Sequence, residues 1–313
     1  MQNRTSRTAE QVALFRALES ARRRDRVFVD PYAAGFLRGG YRLLARAARV
    51  PAVGRRLEHY IDEHWPAGPR ASAVARTRLI DDLVGDALTG ETPAAETPAG
   101  ETSAGETSGG GARQVVLLGA GYDSRAYRLP ALAGAGVFEV DHPATQATKQ
   151  RLLRAQVRTD RRAHVHFVPV DLAVDDLAGA LRAAGFEALE RTVVVWEGVT
   201  NYLTERAVDT TVRQLAAITG SGSRLVFTYV DRAALDGTGG FRGVDEWHAA
   251  VRRQGEPWTF GFDPGELPGY LAERGLRLFL DLSTRDAADR YLLPLGRREP
   301  AAPFYRVAAA EIL

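Results

Sequence analysis

Between Arg70 and Leu88 apolar residues recur at helical spacing, with Ala75, Leu79, Ile80, Leu83, Val84, Ala87 and Leu88 forming one stripe. Arg76 falls on that stripe, whereas Arg78 falls on the opposite, wet face. Past residue 113 the pattern changes. Gln114–Leu118, Val137–Val140, Val165–Val170, Thr192–Trp196 and Arg224–Val230 are short apolar runs without strict alternation. They read as strands buried on both faces of a parallel sheet. Amphipathic stretches between them, such as Ala144–Val157 and Glu205–Thr219, read as covering helices. Leu276–Asp281 and Phe304–Ala309 read as two more strands, suited to an antiparallel final pair. The prediction is an α/β, Rossmann-like fold with a seven-stranded mixed sheet. At the other end, Thr8-Ala-Glu-Gln11 reads as a capping box that opens a helix running to about Ala21.

This pattern divides one domain, 1–313, into a helical cap over 1–89 and a cofactor-binding core over 113–313, with an insert at about 232–270. The two parts are separated by GETPAAETPAGETSAGETSGGGA at 90–112, a degenerate five-residue repeat. It has no large apolar residue to repay ordering entropy by burial, so it is expected to be a disordered tether. Composition then removes several classes of function. The 313 residues are 45% hydrophobic and contain no cysteine, which excludes disulfides, thiolate metal sites and cysteine nucleophiles. Formal net charge is only +2, and no block of like charge marks a nucleic-acid surface. No apolar run reaches the ~20 residues needed to span a bilayer, and MQNRTSRTAEQ has no signal-type apolar stretch. A cytoplasmic protein is expected, without membrane or nucleic-acid partners. Oligomeric state is not legible.

The candidate chemistry sits at strand ends. Gly119, Ala120 and Gly121 follow the first strand, and Asp141 closes the second, twenty residues after Gly121. Such a turn lets backbone approach a ligand and places a helix N-terminus beneath it, although a plain strand-to-helix turn would look the same. A dinucleotide fingerprint wants a third glycine at 124, where Ser124 stands, and Asp123 puts negative charge where a pyrophosphate would lie. Both count against an NAD(P)-dependent oxidoreductase and for a phosphate-free adenosine cofactor such as S-adenosyl-L-methionine. Asp141 would accept both ribose hydroxyls, or else cap the helix opened by Asp-His-Pro. Asp171 would accept from the adenine amino group and Leu172 cover the ring; the alternative is another helix cap. Glu197, at the end of a buried strand, needs a cation: the ammonium of a cofactor tail, or an arginine. Arg76 would grip the tail carboxylate, or snorkel to water.

The runs LGAGYDSRAYRL, FEVDHPATQATK, PVDL and WEGVTNYLTERAV resemble the leucine carboxyl methyltransferase-like family, in its bacterial O-methyltransferase branch of polyketide and related metabolism. ALESARRRDRVFVDPYA, ARTRLIDD and RYLLPLGR match as well, so the resemblance spans nearly the whole chain outside the repeat. It implies a class I methyltransferase fold and S-adenosyl-L-methionine as cofactor. It also implies the tail, ribose and adenine roles just given for Arg76, Gly119, Gly121, Asp141, Asp171, Leu172 and Glu197. A second cationic contact to the tail, known in eukaryotic members, has its nearest match in Arg16.

Methyl transfer needs an aligned acceptor and excluded water more than it needs a catalytic triad, and no residue set has metal-ligand spacing. An ionised carboxylate acceptor requires no base, whereas a hydroxyl requires one. Among six histidines, His248 is the candidate base. Tyr202 matches a tyrosine that the resemblance places near the acceptor, where it would orient the acceptor oxygen; otherwise it packs under the N-terminal helices. Trp247, Trp258, Phe260 and Phe262 either line a flat pocket or pack the insert onto the sheet. The expected function is O-methylation, at carboxylate or hydroxyl, of a small metabolite. A non-catalytic S-adenosyl-L-methionine-binding protein is the alternative.

Overall fold

A computed structural model describes residues 7–64, 68–90 and 110–313. Helices α1 (Arg7–Ala21), α2 (Ala33–Phe36), α3 (Gly39–Ala47), α4 (Pro51–His64) and α5 (Pro69–Thr89) precede the sheet. Strands β1 (Gln114–Leu118), β2 (Gly136–Asp141), β3 (Val165–Pro169), β4 (Thr192–Trp196) and β5 (Arg224–Val230) then alternate with α6 (Arg125–Arg128), α7 (Pro143–Arg154), α8 (Leu177–Ala183) and α9 (Glu205–Ile218). After β5 come α10 (Arg232–Leu235), α11 (Val244–Arg253) and α12 (Leu267–Ala272), then β6 (Leu276–Ser283), α13 (Thr284–Leu292) and β7 (Tyr305–Ile312).

The seven strands lie in the order β3-β2-β1-β4-β5-β7-β6. β1 to β5 are parallel, and β7 runs antiparallel between β5 and β6. Strand order reverses between β1 and β4, which creates a crevice at their carboxyl ends. The apolar runs lack alternation because both faces are covered. Val115 and Leu117 point to a core shared with α1, α5 and α13, while Val116 and Leu118 point to one shared with α8, α9 and α12. Because β7 is antiparallel, its first residue, Tyr305, pairs with Val230 at the carboxyl end of β5 and so reaches the same edge.

The expected strands end within three residues of the observed ones. The N-terminal capping box is not formed. Helix α1 already includes Arg7, so Thr8 lies within its first turn and its hydroxyl turns away from the helix. It donates to Gln254 Oε1 at 3.3 Å and to Glu256 Oε2. The alternative helix-cap role for Asp141 is corrected too: His142 is the cap of α7, its Nδ1 accepting from Ala144 N at 3.3 Å. Residues 91–109 of the expected tether lie outside the described residues. Among the described residues, no helix is long and apolar enough to cross a membrane.

Candidate active site

A cavity of about 1,230 Å³ opens at the carboxyl edge of the sheet, beneath α1. Arg76, Gly119, Ala120, Gly121, Asp141, Asp171, Leu172, Glu197 and Tyr202 all line it.

The turn after β1 is built for close approach. Gly119 and Gly121 have φ of +62° and +40°, a region in which a side chain is strained. A Cβ on Gly119 would stand 2.3 Å from Val199 Cγ2. Ala120 between them is tied down from both sides: its N–H donates to Val140 O at 3.0 Å, and its carbonyl accepts from Lys149 Nζ at 3.3 Å. Lys149 is itself buried and paired with Glu139 at 2.8 Å. Asp141 fastens the turn to β2, accepting from Gly121 N at 2.6 Å and from His142 N at 2.7 Å. Burial pushes its carboxyl above the ordinary aspartate range despite those donors. Asp171 accepts from Ala173 N at 3.0 Å, which shapes the loop after β3, and Leu172 beside it is half-buried.

Glu197 resolves differently from a simple ligand contact. Its Oε1 accepts from Arg76 Nε and its Oε2 from Arg125 Nη1, both at 2.7 Å. Arg125 also pairs with Asp123 at 2.6 Å and with Asp81 at 2.7 Å. Burial alone would raise the Glu197 carboxyl, but Arg125 and Arg76 outweigh it and hold it at about 2. The arginine alternative raised from sequence is therefore met, with Arg76 itself as one partner. Arg76 does not snorkel. Its side chain is 8% exposed against 42% for Arg78, which pairs with Asp82. The Arg76 guanidinium also lies 5.1 Å from the Tyr305 ring centre. Arg16 lines the cavity, donating to Tyr122 O at 2.5 Å and standing 3.5 Å from Asp30.

Beyond this charged end the wall turns aromatic. Tyr202, Trp247, Trp258 and Tyr305 line the cavity, with Trp247 and Tyr305 parallel at 5.9 Å and Trp247 and Trp258 at 5.8 Å. Burial pushes the Tyr202 hydroxyl up, and Tyr305 and Glu256 push it further. The insert aromatics thus divide: Trp247 and Trp258 face the cavity, whereas Phe260 and Phe262 pack on the sheet beside Phe227 and Tyr229.

His248 is not brought to the cavity and is corrected as the candidate base. It stacks on Trp258 at 5.7 Å and borders a separate shallow depression with Asp245, Ala249, Arg252 and Arg253. It follows Trp247 on α11, and successive helical residues do not share a face. Sequence reading missed Thr8, Glu256 and Tyr305. Only Tyr305 carried a usable signal, since an antiparallel last strand must begin at the ligand edge.

The fold is that of a class I, Rossmann-like methyltransferase. Residues 9–216 match the family model for leucine carboxyl methyltransferase. A proposed S-adenosyl-L-methionine-dependent methyltransferase from Mycobacterium sp. strain JLS is 33% identical over 289 residues, covering 86% of this chain and 83% of that protein. One from Frankia alni is 35% identical over 233 residues, covering 73% and 70%. The structure of a proposed methyltransferase from Thermobifida fusca superposes with a TM-score of 0.54 at 16% identity, over 83% of this chain and 88% of that one. The chain belongs to the leucine carboxyl methyltransferase family and is an S-adenosyl-L-methionine-dependent methyltransferase. The nicotinamide alternative is thereby set aside. The residues present fit this cofactor: a glycine turn that a Cβ would block, carboxylates at two strand ends, and a buried arginine–glutamate pair.

Proposed function

We propose that this enzyme O-methylates a small, flat metabolite, as a cytoplasmic protein of secondary metabolism. The observation that carries this reading is one continuous cavity, lined at its charged end by all eight candidate cofactor residues and at the other by four aromatic rings. Its volume of about 1,230 Å³ exceeds that of an ordinary single-ligand pocket, which leaves room for an acceptor beside the donor.

When bound, S-adenosyl-L-methionine supplies a methyl group already activated on a sulfonium. The chain's own part is to bind, orient and exclude water. Asp141 would take the ribose hydroxyls on the lone pairs left free by Gly121 and His142. Asp171 and Leu172 would meet the adenine edge and face. Glu197 would meet the tail ammonium without surrendering its arginines, because each carboxylate oxygen accepts more than one bond. Arg76 spends Nε on Glu197 and keeps its remaining N–H groups for the tail carboxylate. Tyr202 would orient the acceptor oxygen.

Asp141→Ala should weaken cofactor binding by about 1–3 kcal/mol, the cost of paired hydrogen bonds plus a loosened glycine turn. Calorimetric titration of the folded variant checks this, and unchanged affinity would remove Asp141 from the ribose role. The reaction type is tested with methyl-labelled cofactor and a panel of small acids, phenols, amines and enolisable carbon acids. Transfer to oxygen of either class supports the reading, and transfer only to nitrogen or carbon nucleophiles refutes it.

A further inference from the structure

The aromatic end of the cavity also holds a carboxylate that the roles above leave unused. Glu256 lines the cavity from the loop after α11. Its Oε2 accepts from Thr8, through the hydroxyl and, at 3.4 Å, through the backbone N–H. Among the described residues no bond is made to the other oxygen, Oε1. The carboxylate is thus held in one orientation with an acceptor atom to spare. It stands close enough to Tyr202 to oppose ionisation of that hydroxyl.

A second observation points to a ligand at the same place. Trp258, two residues on, is 6% exposed, and its indole Nε1 makes no well-formed hydrogen bond, although it lies near enough to the Tyr202 hydroxyl to favour that group's ionised form. A buried N–H without a well-formed bond is costly, and this one belongs to a side chain of the cavity wall. An oxygen lodged between Trp258 and Glu256 would satisfy both, taking a hydrogen bond from the indole and giving one to Oε1. The aromatic rings of Trp247 and Tyr305 supply flat apolar area for the rest of such a molecule. Among methyl acceptors, a hydroxyl oxygen both donates and accepts in this way, whereas an ionised carboxylate only accepts. A carboxylate acceptor would bring a second negative charge to Glu256 and be repelled.

We infer that Glu256 is the general base of this methyltransferase and that its acceptor is a phenolic hydroxyl on a flat aromatic molecule. The inference rests on the O-methyltransferase reading and narrows it. The phenol O–H bond breaks and its proton passes to Glu256 Oε1. The oxygen lone pair then forms the new O–CH3 bond as the S–CH3 bond breaks, its electron pair staying on sulfur. Glu256 afterwards releases the proton to solvent. Thr8 acts as a positioning residue, through Oε2.

The test compares wild type with Glu256→Gln and Glu256→Asp, using methyl-labelled cofactor and three probes: 2-naphthol, a nitro-substituted naphthol already ionised at assay pH, and 2-naphthoic acid. Wild type should label both naphthols and not the acid. Glu256→Gln should lose roughly 100-fold in kcat on 2-naphthol yet keep its rate on the pre-ionised naphthol, and Glu256→Asp should recover part of the loss. A merely structural role would lower both naphthol rates together, and that result overturns the assignment. So does labelling of the naphthoate alone or of none of the probes, and so does an undiminished Glu256→Gln rate. Calorimetric affinity for the cofactor is read in parallel. If wild type binds none, it is the underlying methyltransferase reading that fails rather than the assignment of Glu256.

Discussion

Arg125→Leu is expected to destabilise the fold by about 3–5 kcal/mol, the range for removing one partner of a buried ionic network. Arg125 is 1% exposed and contacts three carboxylates, those of Asp81, Asp123 and Glu197. The leucine removes the direct ionic partner of Asp123 and one of the two partners of Glu197, and it leaves both carboxylates largely buried at the cavity wall. Urea unfolding at neutral pH measures this directly, and a loss below about 1 kcal/mol, the value of an exposed pair, would contradict it. The network also fixes a pH dependence. Glu197 titrates at about 2 in the fold against an ordinary 4.5. A carboxyl depressed in this way contributes stability that is whole above its unfolded value, and that stability is lost as pH falls from 4.5 towards 2. In Arg125→Leu the contribution should shrink, and acid unfolding should begin at higher pH.

Arg76→Ala should weaken cofactor binding by about 2–5 kcal/mol, as expected when one member of a buried, hydrogen-bonded charge pair is truncated. Two losses combine. The tail carboxylate loses its cationic partner, and Glu197 loses the Nε contact at 2.7 Å that fixes Oε1. Arg78, two residues along the same helix, is the matched control. It donates to Asp82 Oδ2 at 3.2 Å and to Val27 O at 3.0 Å, outside the cavity. Arg78→Ala should cost at most about 1 kcal/mol of stability and leave affinity unchanged. Calorimetry on the two variants separates them, and equal effects would show that the inward face of α5 does not carry the cofactor tail.

How far the sequence disclosed this depends on the range of each contact. The parallel strands were legible because burial on both faces removes polar residues, as in the fully buried run of β4. Gly119, Asp141, Asp171 and Glu197 were legible as candidates because each follows such a run, and a strand's carboxyl end places its next residue at the crevice. Arg76 was legible because an arginine on an apolar stripe breaks a local rule. Contacts without local signature escaped. Thr8 and Glu256 lie 248 residues apart, and a threonine near a helix start looks like a cap from sequence alone. The Glu197 network was only half visible, because Arg125 reads as an ordinary residue of a short helix until the fold sets it against Asp81 and Glu197. His248 was not placed by local sequence, because which face of α11 meets the cavity depends on how the insert packs against the sheet. Trp247 takes the inward face, and His248 the next one round.

A structure with bound S-adenosyl-L-homocysteine tests the central claim most directly. Ribose hydroxyls within hydrogen-bond distance of Asp141, the tail carboxylate on Arg76, and the sulfur facing Tyr202 and Trp258 are the expected contacts. An adenosine lodged away from the Gly119–Gly121 turn, or a tail that leaves Arg76 and Glu197 untouched, would contradict it.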